Sequence, residues 1–347
     1  MITPLSVLIR CDGSSELGLG HVVRCLAIAD ELRDRHGCIV AFAMRAGELG
    51  MQRVRGAGYA VVGAPAAAGS MYADWLRESV AAVEAGALVL DVRDELSRAD
   101  VAAVRDMTDV TVATIDDGSD RRLAADVSFL PPVPQALRLT WDGARGDARI
   151  GWEWIALRRE FAEARHADTT ALPARVLVTM GGSDPLGLTP RVIEALDLLG
   201  GEFETVVALG PGFEHQAELE QALQRTHREF SVVRDGDLVA LMRHSTLAIA
   251  AFGVTAYELA ALGVPAIHLS LTEDHAESAS ALVNAGIAVS LGIGTAVSAT
   301  EIAIATNALL VDDTVRNDMS RRSTCLVDGR GAARIADDVA IRLRAHG

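Results

Sequence analysis

Three times along this chain a short apolar run breaks at glycine and is followed at once by residues in helical periodicity, a pattern that limits the fold more than any other feature. The first run, Ser6-Val-Leu-Ile-Arg-Cys11, ends in DGSSELGLG; from His21 the apolar positions Val22, Leu26, Ala29 and Leu32 recur at helical spacing as far as His36, where Gly37 suits a C-terminal cap. The second run, 175–180, enters Gly181-Gly182-Ser183-Asp184-Pro185 and a helix over 189–199, and the third, 247–251, enters Phe252-Gly253-Val254-Thr255 and a helix reaching residue 262. Further strand-like runs at 39–43, 60–62, 87–90, 110–115, 205–209 and 231–233 alternate with Ala-, Glu- and Arg-rich stretches of helical character. Strands alternating with helices predict parallel, doubly wound sheets covered on both faces.

The polar, aperiodic stretch 165–173 reads as a linker. It predicts two domains, residues 1–165 and residues 174–347, with the last helix packing back on the first domain. The 347-residue length agrees with two cores. In such sheets ligands bind outside the carboxyl ends of the strands.

Composition removes several classes of function. The chain contains no lysine, all 32 of its Lys+Arg residues being arginine, which excludes a P-loop lysine, a Schiff base and covalently held pyridoxal phosphate. A net charge of -15 repels phosphate backbones and anionic headgroups, so neither nucleic acid nor membrane insertion is expected, and the absence of a basic-then-apolar leader or a long apolar run predicts a cytoplasmic location. Cys11, Cys25, Cys38 and Cys325 are scattered, with no C-x-x-C, and read as reduced thiols. The nine histidines are dispersed and H-E-x-x-H is absent, so no metal and no cofactor are expected. Asp116-Asp117, at a strand end, reads as a cap or a structural pair, and His275 as an exposed loop residue. Composition leaves the oligomeric state open.

The glycine loops carry the chemistry. A loop entering a helix presents unpaired amides and the positive end of the helix dipole, both of which favour an anion. In Gly18-Leu-Gly20-His21, Val23 stands where a dinucleotide fingerprint needs a third glycine, which disfavours NAD. His21 sits beside these amides, and histidine is the side chain suited to proton transfer at neutral pH; it reads as a catalyst or as a cap of its own helix. Asp12, Gly18, Gly20, Arg24 and Arg93 are the candidate substrate contacts, Arg24 reading equally as a solvated helix-face residue. Gly181, Gly182 and Ser183 of the second loop and Gly253, Val254 and Thr255 of the third form a candidate diphosphate cradle, and Glu258, a turn further on, is placed to accept from ribose hydroxyls. Ser183 or Asp184 reads equally as an N-cap, and Glu258 as a helix-surface residue.

Taken in order, DGSSELGLGHVVRC, VLVTMGGSDPLGLTPRVIEAL and FGVTAYELAALGVPAI resemble the PseG/SpsG family of bacterial UDP-sugar hydrolases of pseudaminic acid biosynthesis, themselves similar in fold to the peptidoglycan N-acetylglucosaminyltransferase that acts on lipid I. The resemblance spans most of the chain. It implies an α/β GT-B fold, two Rossmann-like domains facing a central cleft, the first facing the sugar and carrying the catalyst and the second binding the nucleotide, and metal-independent hydrolysis of UDP-2,4-diacetamido-2,4,6-trideoxy-β-L-altropyranose at the anomeric carbon. It carries the catalytic histidine onto His21 and the nucleotide contacts onto Gly181, Gly182, Gly253 and Glu258. The chain departs from the family at Leu90-Asp91-Val92-Arg93, where a His-Tyr pair is missing, at Phe252-Gly253, at Asp274-His275-Ala276 and at Phe129-Leu130-Pro131-Pro132. The alternatives are a glycosyltransferase using a UDP-sugar donor and a nucleotide-sugar-binding protein without catalysis.

Overall fold

A computed structural model describes residues 5–14, 18–45, 48–64, 72–164, 173–234 and 236–346. The chain divides into two units, Met1–Arg158 with Arg330–Gly347, and Arg159–Gly329. Most of the stretch read as a linker lies outside the described residues.

The first unit contains β1 (Ser6–Cys11), α1 (Gly20–His36), β2 (Ile39–Met44), α2 (Glu48–Gly56), β3 (Ala60–Gly63), α3 (Tyr72–Ala82), β4 (Ala87–Asp91), α4 (Arg98–Thr108), β5 (Thr111–Ile115), β6 (Val127–Leu130), α5 (Pro134–Leu137) and β7 (Asp147–Ile150). Its strands form one sheet in the order β3-β2-β1-β4-β5-β6-β7, every pair parallel. Successive residues of β1 point to opposite faces, as the period of two requires. Val7, Ile9 and Cys11 pack with Val22, Cys25, Leu26 and Leu32 of α1, whereas Leu8 joins Tyr72, Trp75 and Leu76 of α3 and Val101 and Val104 of α4. Gly37 ends α1 in the left-handed conformation at φ 66°, its amide reaching the Arg33 and Leu32 carbonyls. The last helix of the chain, Gly331–His346, belongs to this unit: Ile335, Val339 and Leu343 enter the α1-side core, and Asp337 meets His36 Nε2 at 2.8 Å.

The second unit contains α6 (Glu160–Glu163), β8 (Ala174–Thr179), α7 (Leu188–Asp197), β9 (Phe203–Leu209), α8 (Gln216–Arg225), β10 (Ser231–Arg234), α9 (Leu238–Arg243), β11 (Leu247–Ala251), α10 (Val254–Leu262), β12 (Ala266–Ser270), α11 (Glu273–Asn284), β13 (Val289–Ile293), α12 (Ala299–Val311) and α13 (Asp313–Leu326). The sheet order is β10-β9-β8-β11-β12-β13, again all parallel. Its core sets Val176, Val178, Ile249, Ile267 and Leu269 against Val192, Leu196 and Ile302.

In both sheets the winding reverses beside the first strand, between β1 and β4 in one and between β8 and β11 in the other. Strand order therefore puts the first glycine loop at one switch point and the second and third loops at the other, where doubly wound sheets take ligands.

Candidate active site

At the first switch point β1 ends at Cys11, whose register partner Asp91 ends β4. Gly18 turns the chain at φ 75° and Gly20 starts α1, whose N-terminus has neither a capping side chain nor an acid in its first turn. One residue into that helix, His21 Nδ1 lies 2.6 Å from Asp91 Oδ1. Arg24, a turn further along, donates from Nε to Asp91 Oδ2 and from Nη2 to Asp91 Oδ1, both at 2.5 Å, and from Nη1 to Asp116 Oδ2 at 2.8 Å. Its Nη2 also stands 3.1 Å from His21 Nδ1. Arg93 completes the group by donating to Asp116 Oδ2 at 3.2 Å.

Burial alone would push the Asp91 carboxyl up, but the charge of Arg24 and the hydrogen bonds from Arg24 and His21 hold it far below the usual carboxylate range. Burial likewise works against the Arg24 charge, and Asp91 and Asp116 more than restore it. Asp91 is therefore an ionised acceptor, and Nδ1 of His21 carries the proton between them. Nε2 makes no hydrogen bond among the described residues and belongs to a side chain that is 20% exposed; in the neutral ring with its proton on Nδ1, it is the nitrogen that holds the lone pair. A histidine so oriented can take a proton from a bound water.

Arg24 and Arg93 thus enter the site through carboxylates that the sequence reading did not select. Asp91 ends the strand across the switch point from the glycine loop, a position that could have marked it. Asp116 directly follows β5 in left-handed backbone at φ 51° with its amide on the Phe129 carbonyl; Asp117 beside it is a structural partner of Arg121 and of the Ser119 amide. Asp12 lies in an adjoining network, where Oδ2 accepts from Arg10 and Oδ1 from the Arg45 amide, so protein donors reach both its oxygens. Arg10, fully buried, also reaches Asp94 at 3.1 Å and donates to the Tyr72 hydroxyl at 2.8 Å; Tyr72 and Arg121 hold Asp94 in turn.

The second switch point differs between its two loops. After β8, Gly181 adopts φ 78° and Asp184 φ 48°, and the buried Asp184 carboxylate accepts from the Leu188 and Thr189 amides at 2.8 and 2.9 Å. The N-cap of α7 is Gly187 rather than Ser183 or Asp184, but the Asp184 carboxylate, reaching in from upstream, already occupies the first amides with an acid, and the amides left for a ligand on this loop are those of Gly181, Gly182 and Ser183, Gly182 being exposed and the other two partly so. Close packing shapes the loop: a Cβ at Gly210 would meet the Gly182 carbonyl oxygen at 2.4 Å. After β11, by contrast, Gly253 precedes α10 with no side-chain cap and no acid in the first turn, and Gly253, Val254 and Thr255 are partly exposed. No acid of the helix's own first turn competes for the amides of this helix start. Glu258 is buried within α10 rather than lying on its surface, and Phe252 packs edge-on to Tyr257 and His268.

No protein-family model matches the chain. Among curated proteins it is 23% identical over 332 residues to the spore coat polysaccharide biosynthesis protein SpsG of Bacillus subtilis, covering 94% of this chain and 95% of that protein. The chain resembles SpsG. It is also 25% identical over 282 residues to an uncharacterized protein of Methanocaldococcus jannaschii, of which it spans 56%. Among solved structures, MurG of Acinetobacter baumannii aligns with a TM-score of 0.71 at 14% identity, covering 97% of this chain and 99% of that one. The UDP complex of S. aureus MnaA aligns at 0.67 and 12% identity over 98% and 97% of the two chains, and the calicheamicin glycosyltransferase CalG4 at 0.67 and 15% over 99% and 98%. The resemblance to the PseG/SpsG group and the α/β two-domain fold of the GT-B class are both borne out. No described helix is long and apolar enough to cross a membrane.

Proposed function

We propose that this protein is a nucleotide-sugar hydrolase, releasing UDP from a UDP-linked deoxy-diacetamido sugar of the pseudaminic type by metal-independent, inverting attack of water at the anomeric carbon. The SpsG-like sequence supports a role in making a surface polysaccharide or a nonulosonic acid, and the fold is one used by proteins that bind UDP or UDP-sugars.

One observation carries the chemical reading: His21 has Nδ1 committed to an ionised, buried Asp91 and Nε2 uncommitted among the described residues, at a sheet switch point. UDP is a stabilised leaving group, so the glycosidic C1–O bond breaks with little protonation of the departing oxygen. What the protein must add is a base for the incoming water. Nε2 of His21 takes that proton, Asp91 stabilises the imidazolium that forms, and the water oxygen bonds to C1 on the face opposite UDP, which inverts that carbon. The uncapped start of α10, with the Thr255 hydroxyl, is assigned to the diphosphate, where a helix N-terminus contributes about 0.3–1 kcal/mol and up to about 2 when partly buried. Gly181, Gly182 and Ser183 are assigned to the nucleotide through their loop amides, and Glu258 to the ribose.

The test is purified protein incubated with a panel of UDP- and CMP-linked deoxy-amino sugars and no acceptor. UDP release at catalytic rates supports hydrolysis; release only after an acceptor is added supports a glycosyltransferase; UDP binding without turnover of any donor supports a binding protein. His21→Asn should lower turnover about 10²–10⁴-fold while UDP still binds. Unimpaired turnover would remove His21 from the chemistry.

A further inference from the structure

We infer that Arg24 is a positioning residue that sets the charge balance of the His21–Asp91 pair, so that the carboxylate fixes the imidazole without drawing it into the protonated form. The kinetic part of this inference rests on the hydrolase reading above; the spectroscopic part does not.

A carboxylate alone beside an imidazole does two things that conflict in a general base. It orients the ring through Nδ1, and it stabilises the imidazolium, which removes the lone pair the reaction needs. Here the carboxylate is buried, where its unscreened pull on the ring would be strongest. Arg24 offsets that pull. Its Nε and Nη2 engage both oxygens of Asp91 side by side, and the same Nη2 stands 3.1 Å from His21 Nδ1, so the ring meets a neutralised ion pair in place of a bare anion. The planar fork of arginine makes this geometry available, and an ammonium group could not reproduce it.

Among the described residues, every charged group around the ring fits the same account. Asp91 faces it from β4 and Arg24 from its own helix. Asp116, directly after β5, reaches it only through Arg24 Nη1, and Arg93 only through Asp116. Cys25 Sγ donates to Asp91 Oδ2 at 3.4 Å, and burial pushes its thiol well above the ordinary value, so it adds no charge. Asp116 thereby acts as the tether that keeps the Arg24 guanidinium flat against Asp91. The competing role for Arg24 is that of a strut joining α1 to β4 and β5, which would affect the rate equally at every pH.

The experiment uses the full chain. The pH dependence of kcat/KM for acceptor-free UDP release is measured for the unaltered protein, Arg24→Lys and Arg24→Gln. Arg24→Gln is expected to move the acidic limb upward by about one unit or more, making its loss at pH 6 larger than at pH 9 by up to about tenfold per unit moved, and Arg24→Lys to fall between the two. A loss of the same size at every pH, with the limb unmoved, overturns the inference. Should the variants not fold, ¹⁵N NMR of the histidine rings in the unaltered protein, with His21→Asn assigning the signal, reads the same quantity. A neutral ring with the proton on Nδ1 at pH 8 supports the inference, and a doubly protonated ring at that pH overturns it. Failure of every UDP-sugar to react would sink the hydrolase reading and leave the NMR result to decide the part played by Arg24.

Discussion

Nδ1 of His21 and Oδ1 of Asp91 lie 2.6 Å apart, the histidine one residue into a helix and the aspartate at the last position of the neighbouring parallel strand. Neither residue has other freedom: the ring is fixed by the carboxylate, and the carboxylate by Arg24. Asp91→Asn preserves size but offers an amide that can donate to Nδ1, and the proton then moves to Nε2, the nitrogen that must accept one. Turnover should fall about 10²–10⁴-fold with UDP affinity unchanged, as followed by UDP release and calorimetry. Full activity in Asp91→Asn would show that the ring is not held by this bond.

Arg10 supports a larger charge network than the active group does. It is fully buried on the central strand, with Asp12, Asp94 and Tyr72 on its nitrogens and the rings of Tyr72 and Trp75 within 5.5 Å of its guanidinium carbon. Arg10→Met fills similar volume but leaves Asp12 and Asp94 without their central cation, and removing one partner of a buried pair costs about 3–5 kcal/mol. The four tryptophans, Trp75, Trp141, Trp152 and Trp154, all lie in the first unit, so urea unfolding followed by tryptophan fluorescence reports on that unit alone. A midpoint unchanged from the parent would mean that the network adds nothing to its stability.

Asp184 takes the two amides that open α7, and its left-handed backbone places the carboxylate there. Asp184→Ala removes this carboxylate and keeps the unfavourable φ, for an expected loss of about 2 kcal/mol, with Asp184→Asn losing less. If local opening governs exchange, the Leu188 and Thr189 amides should exchange about 30-fold faster in native-state hydrogen exchange. Unaltered protection of those two amides would contradict the assignment.

How much of this was legible depended on what kind of signal each element carries. Buried parallel strands are largely apolar, so β1, β4, β8 and β11 announce themselves, and Gly37 marks the end of α1 because only glycine takes the left-handed cap without strain. The edge strand β7, Asp147-Ala-Arg-Ile150, is largely solvated and charged and has no apolar run to detect. At the site, the glycine loops and His21 stand in continuous motifs. Asp91 and Asp116 lie 70 and 95 positions beyond His21 in sequence and become its neighbours only because β4 and β5 follow β1 across the sheet. The acid at the start of α7 shows a different limit, since the sequence offers Ser183 or Asp184 as the N-cap, whereas the helix starts only after Gly187 and Asp184 reaches its first amides from three residues further upstream.

His268 gives the second unit a pH dependence of its own. The ring is buried on β12 beside Phe252, and burial, only partly offset by the Ala250 backbone, pushes its pKa down from 6.5 to about 4. Between those values the unfolded chain binds a proton that the folded chain refuses, so stability rises with pH across that window. The contribution is fully present above about pH 6.5 and is lost as pH falls toward 4, amounting to about 3 kcal/mol over the interval. His268→Leu replaces the ring with an apolar side chain that does not titrate. Thermal unfolding of the two proteins from pH 7 to pH 4 should therefore show the parent losing stability more steeply than the variant. Parallel curves would mean that His268 is charged in the folded state, or that other groups carry the acid sensitivity of this unit.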